Sequence, residues 1–224
     1  MLIICDFDGT VTARDTNSFL AQRYAPEAYA GLEGKLAART MTLREVLSTE
    51  FVNMGVPLDT IVEAAVENVP FRSGFPELLD AVEAADAKFV LLSSGFRQVI
   101  EPLLEREGLA GRVPLVANDI AIGPDGPRIE WRDLPTCELC GEPCKRSDIA
   151  QLRGGQLHDA DFDHVVFIGD GLSDRCGAET ADRVFARDSL ATWLDEQDEP
   201  WEPWGDFHDI LGALQLDRHT GASR

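Results

Sequence analysis

The sequence predicts an α/β protein: a doubly wound, mostly parallel sheet with a helical cap inserted after its first strand. Three observations carry this. Short apolar runs recur along the chain, each followed at once by turn or polar residues, as in strands buried on both faces of a parallel sheet. Helical periodicities lie between those runs, so strands and helices alternate. One long stretch after the first run breaks the alternation and carries helical periodicity alone.

Leu2–Cys5 is the first predicted strand. From Asp15 to Arg72 no convincing strand is present, Pro26, Gly55, Pro57 and Pro70 punctuate the chain, and Thr42-Leu43-Arg44-Glu45 has the form of a capping box. Residues 14–72 are therefore assigned to the cap, and 1–13 with 73–224 to the core. Pro76–Ala85 predicts a helix, Lys88–Leu92 a strand, and Gln98–Glu107 a helix that Gly108 is placed to end. Pro114–Ala117 is a further strand candidate. Val116–Arg132, with Gly123-Pro124-Asp125-Gly126-Pro127 between short apolar pieces, predicts a hairpin. Arg146–Leu152 predicts a helix, Val165–Ile168 a strand and Arg183–Ala186 a weaker one. Pro200–Trp204 is expected to be a loop and Phe207–Leu216 the final helix.

The 224 residues suffice for one α/β core plus a small accessory domain. No apolar run approaches the roughly 20 residues of a membrane span. The start, Met1-Leu2-Ile3-Ile4-Cys5-Asp6, lacks the basic and apolar regions of a signal peptide, so a cytoplasmic location is expected. Forty acidic residues against twenty basic give a net charge of −20. Such a surface repels nucleic-acid backbones and anionic membranes, and neither is expected as a partner. It also repels a phosphorylated substrate, so attraction must be local, from a metal and a lysine at contact. Lys35, Lys88 and Lys145 are the only lysines.

Three polar motifs lie where such a fold places its ligands, at the carboxyl ends of strands, and one lysine opens a helix between the second and third. Asp6-Phe7-Asp8-Gly9-Thr10 follows the first. Residues two apart on extended backbone share a face, so Asp6 and Asp8 point together and Phe7 points into the core. Gly9 lets the turn close around an anion, with Thr10 beside it. Two neighbouring carboxylates suit divided labour, with Asp6 ionised as nucleophile and Asp8 protonated as general acid. Ser93-Ser94-Gly95 ends the second strand, where hydroxyl and N–H groups can hold phosphate oxygens; a serine there is also a common helix cap. Lys145 opens a helix against the helix dipole, which needs a local reason. Gly169-Asp170-Gly171-Leu172-Ser173-Asp174 follows the third strand. Mg²⁺ wants oxygen ligands in octahedral geometry, and Asp6, Asp170 and the Asp8 carbonyl supply three. Asp174 is a direct ligand or the holder of a metal-bound water.

Cys137-x₂-Cys140-x₃-Cys144 runs directly into Lys145. This spacing can wrap a structural Zn²⁺ ion, but a closed site takes four ligands and three are evident. A Cys137–Cys140 disulfide, disfavoured in a reducing compartment, and three reduced thiols stay open as alternatives. Cys5 is expected to face away from the site, and Cys176 to be a small buried apolar residue. His158, His164, His208 and His219 show neither metal spacing nor a partnered nucleophile.

The order D-x-D-G-T, strand-end Ser, Lys and G-D-x-x-x-D resembles the haloacid-dehalogenase-like phosphatases over almost the whole chain. The resemblance implies a Rossmann-like core and an aspartyl-phosphate at Asp6, with Asp8 as general acid/base and Ser93 as phosphate ligand. It implies Lys145 bridging nucleophile and phosphate, Mg²⁺ at Asp6, Asp8, Asp170 and Asp174, and a small phosphorylated metabolite as substrate. Within that superfamily the chain looks most like the phosphoserine-phosphatase-like branch. Asp15 falls where that branch carries a substrate-touching glutamate, but Glu50 stands where its carboxylate-binding arginine is expected. Cys5–Thr12, Ile129-Glu130-Trp131 with the cysteines and Lys145, and Phe185-Ala186-Arg187-Asp188 resemble more nearly the methionine-salvage phosphatases of an enol-phosphate. Phosphocholine and phosphoethanolamine phosphatases share a similar cysteine-then-lysine arrangement.

Overall fold

In the computed structural model, residues 1–123, 126–154 and 162–216 are described. The chain enters on β1 (Leu2–Cys5), turns sharply through Phe7–Val11, and then forms four helices in succession: α1 (Thr16–Tyr24), α2 (Pro26–Ala37), α3 (Leu43–Met54) and α4 (Leu58–Asn68). The Thr42–Glu45 capping box forms as expected, and Gly55 closes α3 in the left-handed conformation. An isolated bridge between Thr12 and Phe71 ties the two ends of this insertion together.

The remainder alternates: α5 (Phe75–Ala84), β2 (Lys88–Phe96), α6 (Arg97–Arg106), β3 (Leu115–Gly123), β4 (Gly126–Glu130), α7 (Lys145–Arg153), β5 (Val165–Gly169), a short α8 (Arg175–Ala178), β6 (Arg183–Ala186), α9 (Asp188–Glu196), β7 (Glu202–Pro203) and α10 (Phe207–Leu214). The seven strands form one sheet in the order β4-β3-β2-β1-β5-β6-β7. Every pairing is parallel except β3 with β4, the expected hairpin. Its tip, residues 124 and 125, lies outside the described residues, as do His158 and His219.

The sheet is doubly wound because its strands are apolar on both faces. In β1, Ile3 and Cys5 enter one core with Phe75, Phe89 and Leu103, while Leu2 and Ile4 enter the other with Ile149, Val184 and Leu190. Helices α5, α6 and α10 cover the first face, and α7, α8 and α9 the second. The strand order reverses at β1, so a crevice opens beyond the carboxyl ends of β1, β2 and β5, where such sheets bind ligands.

Two expectations need correction. The run after Pro200 contains a two-residue edge strand, because the Arg183 guanidinium grips the Glu202 carboxylate across the ladder (Nη2–Oε2 2.8 Å) and Pro203 needs no donor at an edge. The second strand runs on to Phe96 and α6 starts at Arg97, so Ser93 and Ser94 lie within strand and cap no helix. Trp204 packs on Phe207 in the core, and His164 and His208 are exposed. No described helix is long and apolar enough to cross a membrane.

Candidate active site

The crevice gathers the predicted residues. Asp6, Asp8, Asp15, Ser94, Gly95 and Asp170 line one cavity, roofed by Leu36, Leu43, Leu47 and Glu50 from the four-helix insertion. Lys145 lies beneath them, 1% exposed, its ammonium donating to Asp6 Oδ1 and to Asp174 Oδ1 at 2.6 Å. This explains a lysine at a helix start. Two buried carboxylates fix the charge there, and Asp148, in the first turn of α7, offsets the dipole. The two carboxylates outweigh burial and hold the Lys145 pKa above its ordinary value.

Asp174 is fully buried and uses both oxygens. Oδ1 meets Lys145, and Oδ2 accepts from the N–H groups of Asp170 and Gly171, each at 3.0 Å. It therefore sets the Asp170 loop and the lysine together. Asp170 accepts from the Thr10 hydroxyl at 2.6 Å. Thr10 is completely buried and its hydroxyl serves that carboxylate.

Asp8 points to the other wall. Its Oδ2 accepts from the Ser93 hydroxyl at 2.9 Å, and the same hydroxyl accepts from the Gly95 N–H at 2.8 Å. A Cβ at Gly95 would lie 2.6 Å from Asp8 Oδ2, so only glycine admits this carboxylate. Asp15 N-caps α1 through the Ser18 N–H (2.6 Å) while facing the cavity, which gives it a local duty beside any contact with a ligand.

Carboxylate oxygens of Asp6, Asp170 and Asp174 lie within 4.8 Å of one another. Burial, followed by repulsion from Asp174, raises the Asp6 pKa well above the carboxylate range and that of Asp170 to about 7. Burial and then Asp15 lift Asp8 to about 6. Hard, crowded and desolvated, this oxygen set fits a divalent cation such as Mg²⁺, which would relieve the repulsion. The Asp8 side chain stands outside the set, so its expected share in metal binding falls to its backbone carbonyl.

Gly9 adopts φ +88°, and a Cβ there would meet Asp170 Oδ2 at 2.5 Å. Gly9→Ala is thus expected to cost about 1–2 kcal/mol for backbone strain alone and to push Asp170 aside. The expected readouts are a lower melting temperature and weaker metal activation; unchanged metal affinity would count against this placement of Asp170.

Several contributors gave no clear signal in the sequence. Arg72 binds the carbonyls of Gly9 (2.8 Å) and Thr10 (3.1 Å) and so holds the turn that follows Asp6. Arg132 donates to the Ser93 carbonyl at 2.9 Å and forks onto Asp148 at 3.0 and 3.1 Å. Asn118 donates to the Ser94 carbonyl at 2.8 Å. Only the order of pieces around Trp131 hinted at Arg132. Beyond the carboxylates the crevice continues into a second chamber, where Met41, Leu47 and Trp131 share the wall with Arg39, Arg44, Arg132 and Arg175.

The cysteines depart from expectation in one respect. Cys176 does not sink into the core; its sulfur joins those of Cys137, Cys140 and Cys144, all within 4.8 Å of one another. Cys5 is buried on the core face, as expected.

The chain has known relatives. The chain is 29% identical over 217 residues to the 2-hydroxy-3-keto-5-methylthiopentenyl-1-phosphate phosphatase of Bacillus cereus, covering 96% of this chain and 95% of that one. Among solved structures it superposes on the phosphoserine phosphatase from T. onnurineus with a TM-score of 0.69 and 18% identity, over 96% of this chain and 94% of that one. A phospho-aspartyl intermediate analogue of phosphoserine phosphatase gives the same TM-score and identity over 95% and 97%. At such identity these likenesses establish the fold. A family model described as haloacid dehalogenase-like hydrolase matches residues 3–179, and with that match over most of its length the chain belongs to the haloacid dehalogenase-like hydrolases.

Proposed function

We propose that the protein is a Mg²⁺-dependent phosphatase that forms an aspartyl-phosphate at Asp6 and acts on a small phosphomonoester, with an enol-phosphate of a methylthio-pentose skeleton as its preferred substrate class. One observation carries the reaction: Asp6 and Asp8 open into one cavity in different surroundings, Asp6 against Lys145 and Asp8 against Ser93. Asp6 Oδ attacks phosphorus as the ester P–O bond breaks, and Asp8 gives its proton to the departing oxygen. A water then attacks the phosphoryl group, Asp8 takes up the water's proton, and inorganic phosphate leaves Asp6 free. Ser93, Ser94 and Gly95 hold phosphoryl oxygens in this reading, for which the Ser93 hydroxyl and the Gly95 N–H exchange the contacts they make here with Asp8 and Ser93, and Lys145 keeps Asp6 oriented. Asp6, Asp170 and the Asp8 carbonyl would hold Mg²⁺, which neutralises phosphoryl charge when bound. A pKa near 6 keeps Asp8 able to change protonation state near neutrality.

The helices over residues 14–72 act as the cap, since α2 and α3 roof the cavity. Leu36, Met41, Leu47 and Trp131 in the second chamber support the substrate class, because a methylthio tail packs on apolar side chains beyond the phosphate. Glu50, 4% exposed, faces the cavity from α3, and Arg44 is held by the Arg132 carbonyl at 2.8 Å. Glu50, beside the reacting carboxylates, argues against phosphoserine, whose carboxylate it would repel. The acidic pair Glu50 and Asp15 is the specific observation favouring a second reading, a cationic phosphocholine or phosphoethanolamine. Cys137, Cys140 and Cys144 are proposed as ligands of a structural zinc ion.

A competitive panel of small phosphomonoesters with Mg²⁺ is expected to release inorganic phosphate fastest from the methylthio enol-phosphate, and EDTA to stop all turnover until Mg²⁺ returns. Phosphoserine emerging far ahead, or EDTA-insensitive turnover, would overturn the reading. Asp8→Asn should lower kcat by about 10²–10⁴-fold, the usual contribution of a general acid/base. A leaving group of low pKa should soften the loss in kcat/KM, which reports phosphoryl transfer to Asp6, and an equal loss there on alkyl and aryl esters would remove Asp8 as proton donor to the leaving group.

A further inference from the structure

We infer that Cys137, Cys140, Cys144 and Cys176 form one tetrahedral Zn²⁺ site that clamps the Lys145 helix to the Asp170–Asp174 loop. The inference extends the proposed three-cysteine zinc by its fourth ligand and does not depend on the substrate reading.

The four sulfurs come from three parts of the chain. Cys137 and Cys140 lie in the loop after β4, Cys144 is the residue preceding α7, and Cys176 is the second residue of α8. Their mutual distances, all within 4.8 Å, suit a tetrahedral ion. A Zn–S length of about 2.3 Å sets sulfurs about 3.8 Å apart, so small adjustments close the site. Soft thiolates in fours select zinc or iron over magnesium.

The backbone is shaped for the same end. The Gly141 N–H returns to the Cys137 carbonyl at 2.9 Å, and the Cys137 N–H donates to the Glu142 carbonyl at 3.0 Å. Gly141 stands at φ +78°, the left-handed step that lets this short loop fold around one sulfur. The N–H groups of Leu139 and Cys140 then point at Cys137 Sγ, that of Glu142 at Cys140 Sγ and that of Arg146 at Cys144 Sγ. Such N–H donors suit a metal-bound sulfur, against the burial that pushes the Cys140 thiol up. Reduced thiols have no need of four converging sulfurs with aimed N–H donors, and a pair of disulfides would leave those donors without their anions.

The location gives the site its consequence. Cys144 precedes Lys145, and Cys176 follows Asp174 by two residues, so one ion would join the backbones on either side of the Lys145–Asp174 ion pair. The two helices already touch there; a Cβ at Gly177 would lie 3.2 Å from Lys145 Cβ. Glu142, between the second and third cysteines, also accepts from the Leu43 N–H at the start of α3 (3.1 Å). The zinc loop thereby reaches the four-helix insertion as well as the lysine.

The test begins with the wild-type chain, purified under reducing conditions without chelator. Elemental analysis should find about one zinc per chain, retained when Mg²⁺ is stripped by mild EDTA and released by a mercurial reagent. Cobalt reconstitution should give the visible bands of tetrahedral thiolate coordination. Cys176→Ala should lose most of the zinc, whereas Cys5→Ala, outside the cluster, should keep it. In the clamp's absence inorganic phosphate should bind more weakly by about tenfold, as expected when a charged contact is misplaced by a fraction of an ångström. A small fraction of an equivalent of zinc after zinc loading, iron in its place, disulfides in the freshly isolated chain, or full zinc retention by Cys176→Ala would each overturn the site. Full zinc in Cys5→Ala and wild type with phosphate affinity indifferent to its removal would overturn the clamp. The metal count needs no substrate, so its outcome is separable from failure of the phosphatase reading.

Discussion

Asp6→Asn is expected to bring phosphatase turnover down by roughly four to six orders of magnitude, as loss of a covalent nucleophile does elsewhere. Among the described residues no other side chain is positioned to replace it. Asp8 is turned to Ser93, and Asp174 has both oxygens committed to Lys145 and backbone N–H groups. The folded protein should survive the change. Asp6 shares a crowded site with Asp170 and Asp174, and its pKa is pushed well up by burial and by Asp174. Removing one of three like charges relieves repulsion, while the Asn carbonyl still accepts from Lys145. A melting temperature equal to or above wild type is therefore expected, the usual exchange of stability for function at an active site. Acid-quenched wild type should carry one phosphoryl group per turnover intermediate in a mass spectrum, and Asp6→Asn none. Near wild-type turnover, or a phosphorylated Asp6→Asn chain, would remove the covalent step.

The parts of the fold legible in the sequence are those written locally. Each central strand is a short apolar run, and burial on both faces leaves no alternation to confuse with a surface strand. The Thr42 capping box and the glycines after helices are likewise local signals. The β6–β7 pairing was hidden because a two-residue strand has no periodicity; it depends on Arg183 finding Glu202, which only the folded sheet brings together. The same distinction applies to the site. Asp6, Asp8 and Asp170 announce themselves by following strands. Arg72, Arg132 and Asn118 act on backbone carbonyls of those motifs from far along the chain, and surface-type residues in ordinary contexts give no sign of that. Cys176 was misread for this reason: alone in its helix it looks like a small core residue, and only the approach of α8 to α7 places it beside three others.

Lys145→Met is expected to damage both activity and stability, and the pattern of repair identifies the cause. The Lys145 side chain has no exposure and its ammonium is shared by Asp6 and Asp174. Methionine fills much of the same volume but leaves two buried carboxylates facing each other, with Asp170 beside them. Removing one partner of a buried ion pair costs about 3–5 kcal/mol, because the remaining charge stays desolvated. For a chain of this size that corresponds to roughly 6–20 °C in melting temperature without divalent metal. Mg²⁺ should return part of the loss, since it supplies positive charge to the same oxygens. The double variant Lys145→Met/Asp174→Asn should then be more stable than Lys145→Met alone, as one of the orphaned charges is gone. Activity should not follow that recovery. Lys145 also orders Asp6 and offers charge to the phosphoryl group, and loss of such preorganised charge typically costs about 10²–10³-fold in kcat. Thermal melts of the two variants with and without Mg²⁺, beside their steady-state kinetics, separate the two roles. Equal melting of Lys145→Met and wild type without metal, or strict additivity in the double variant, would show that the lysine is not the charge that holds these carboxylates together.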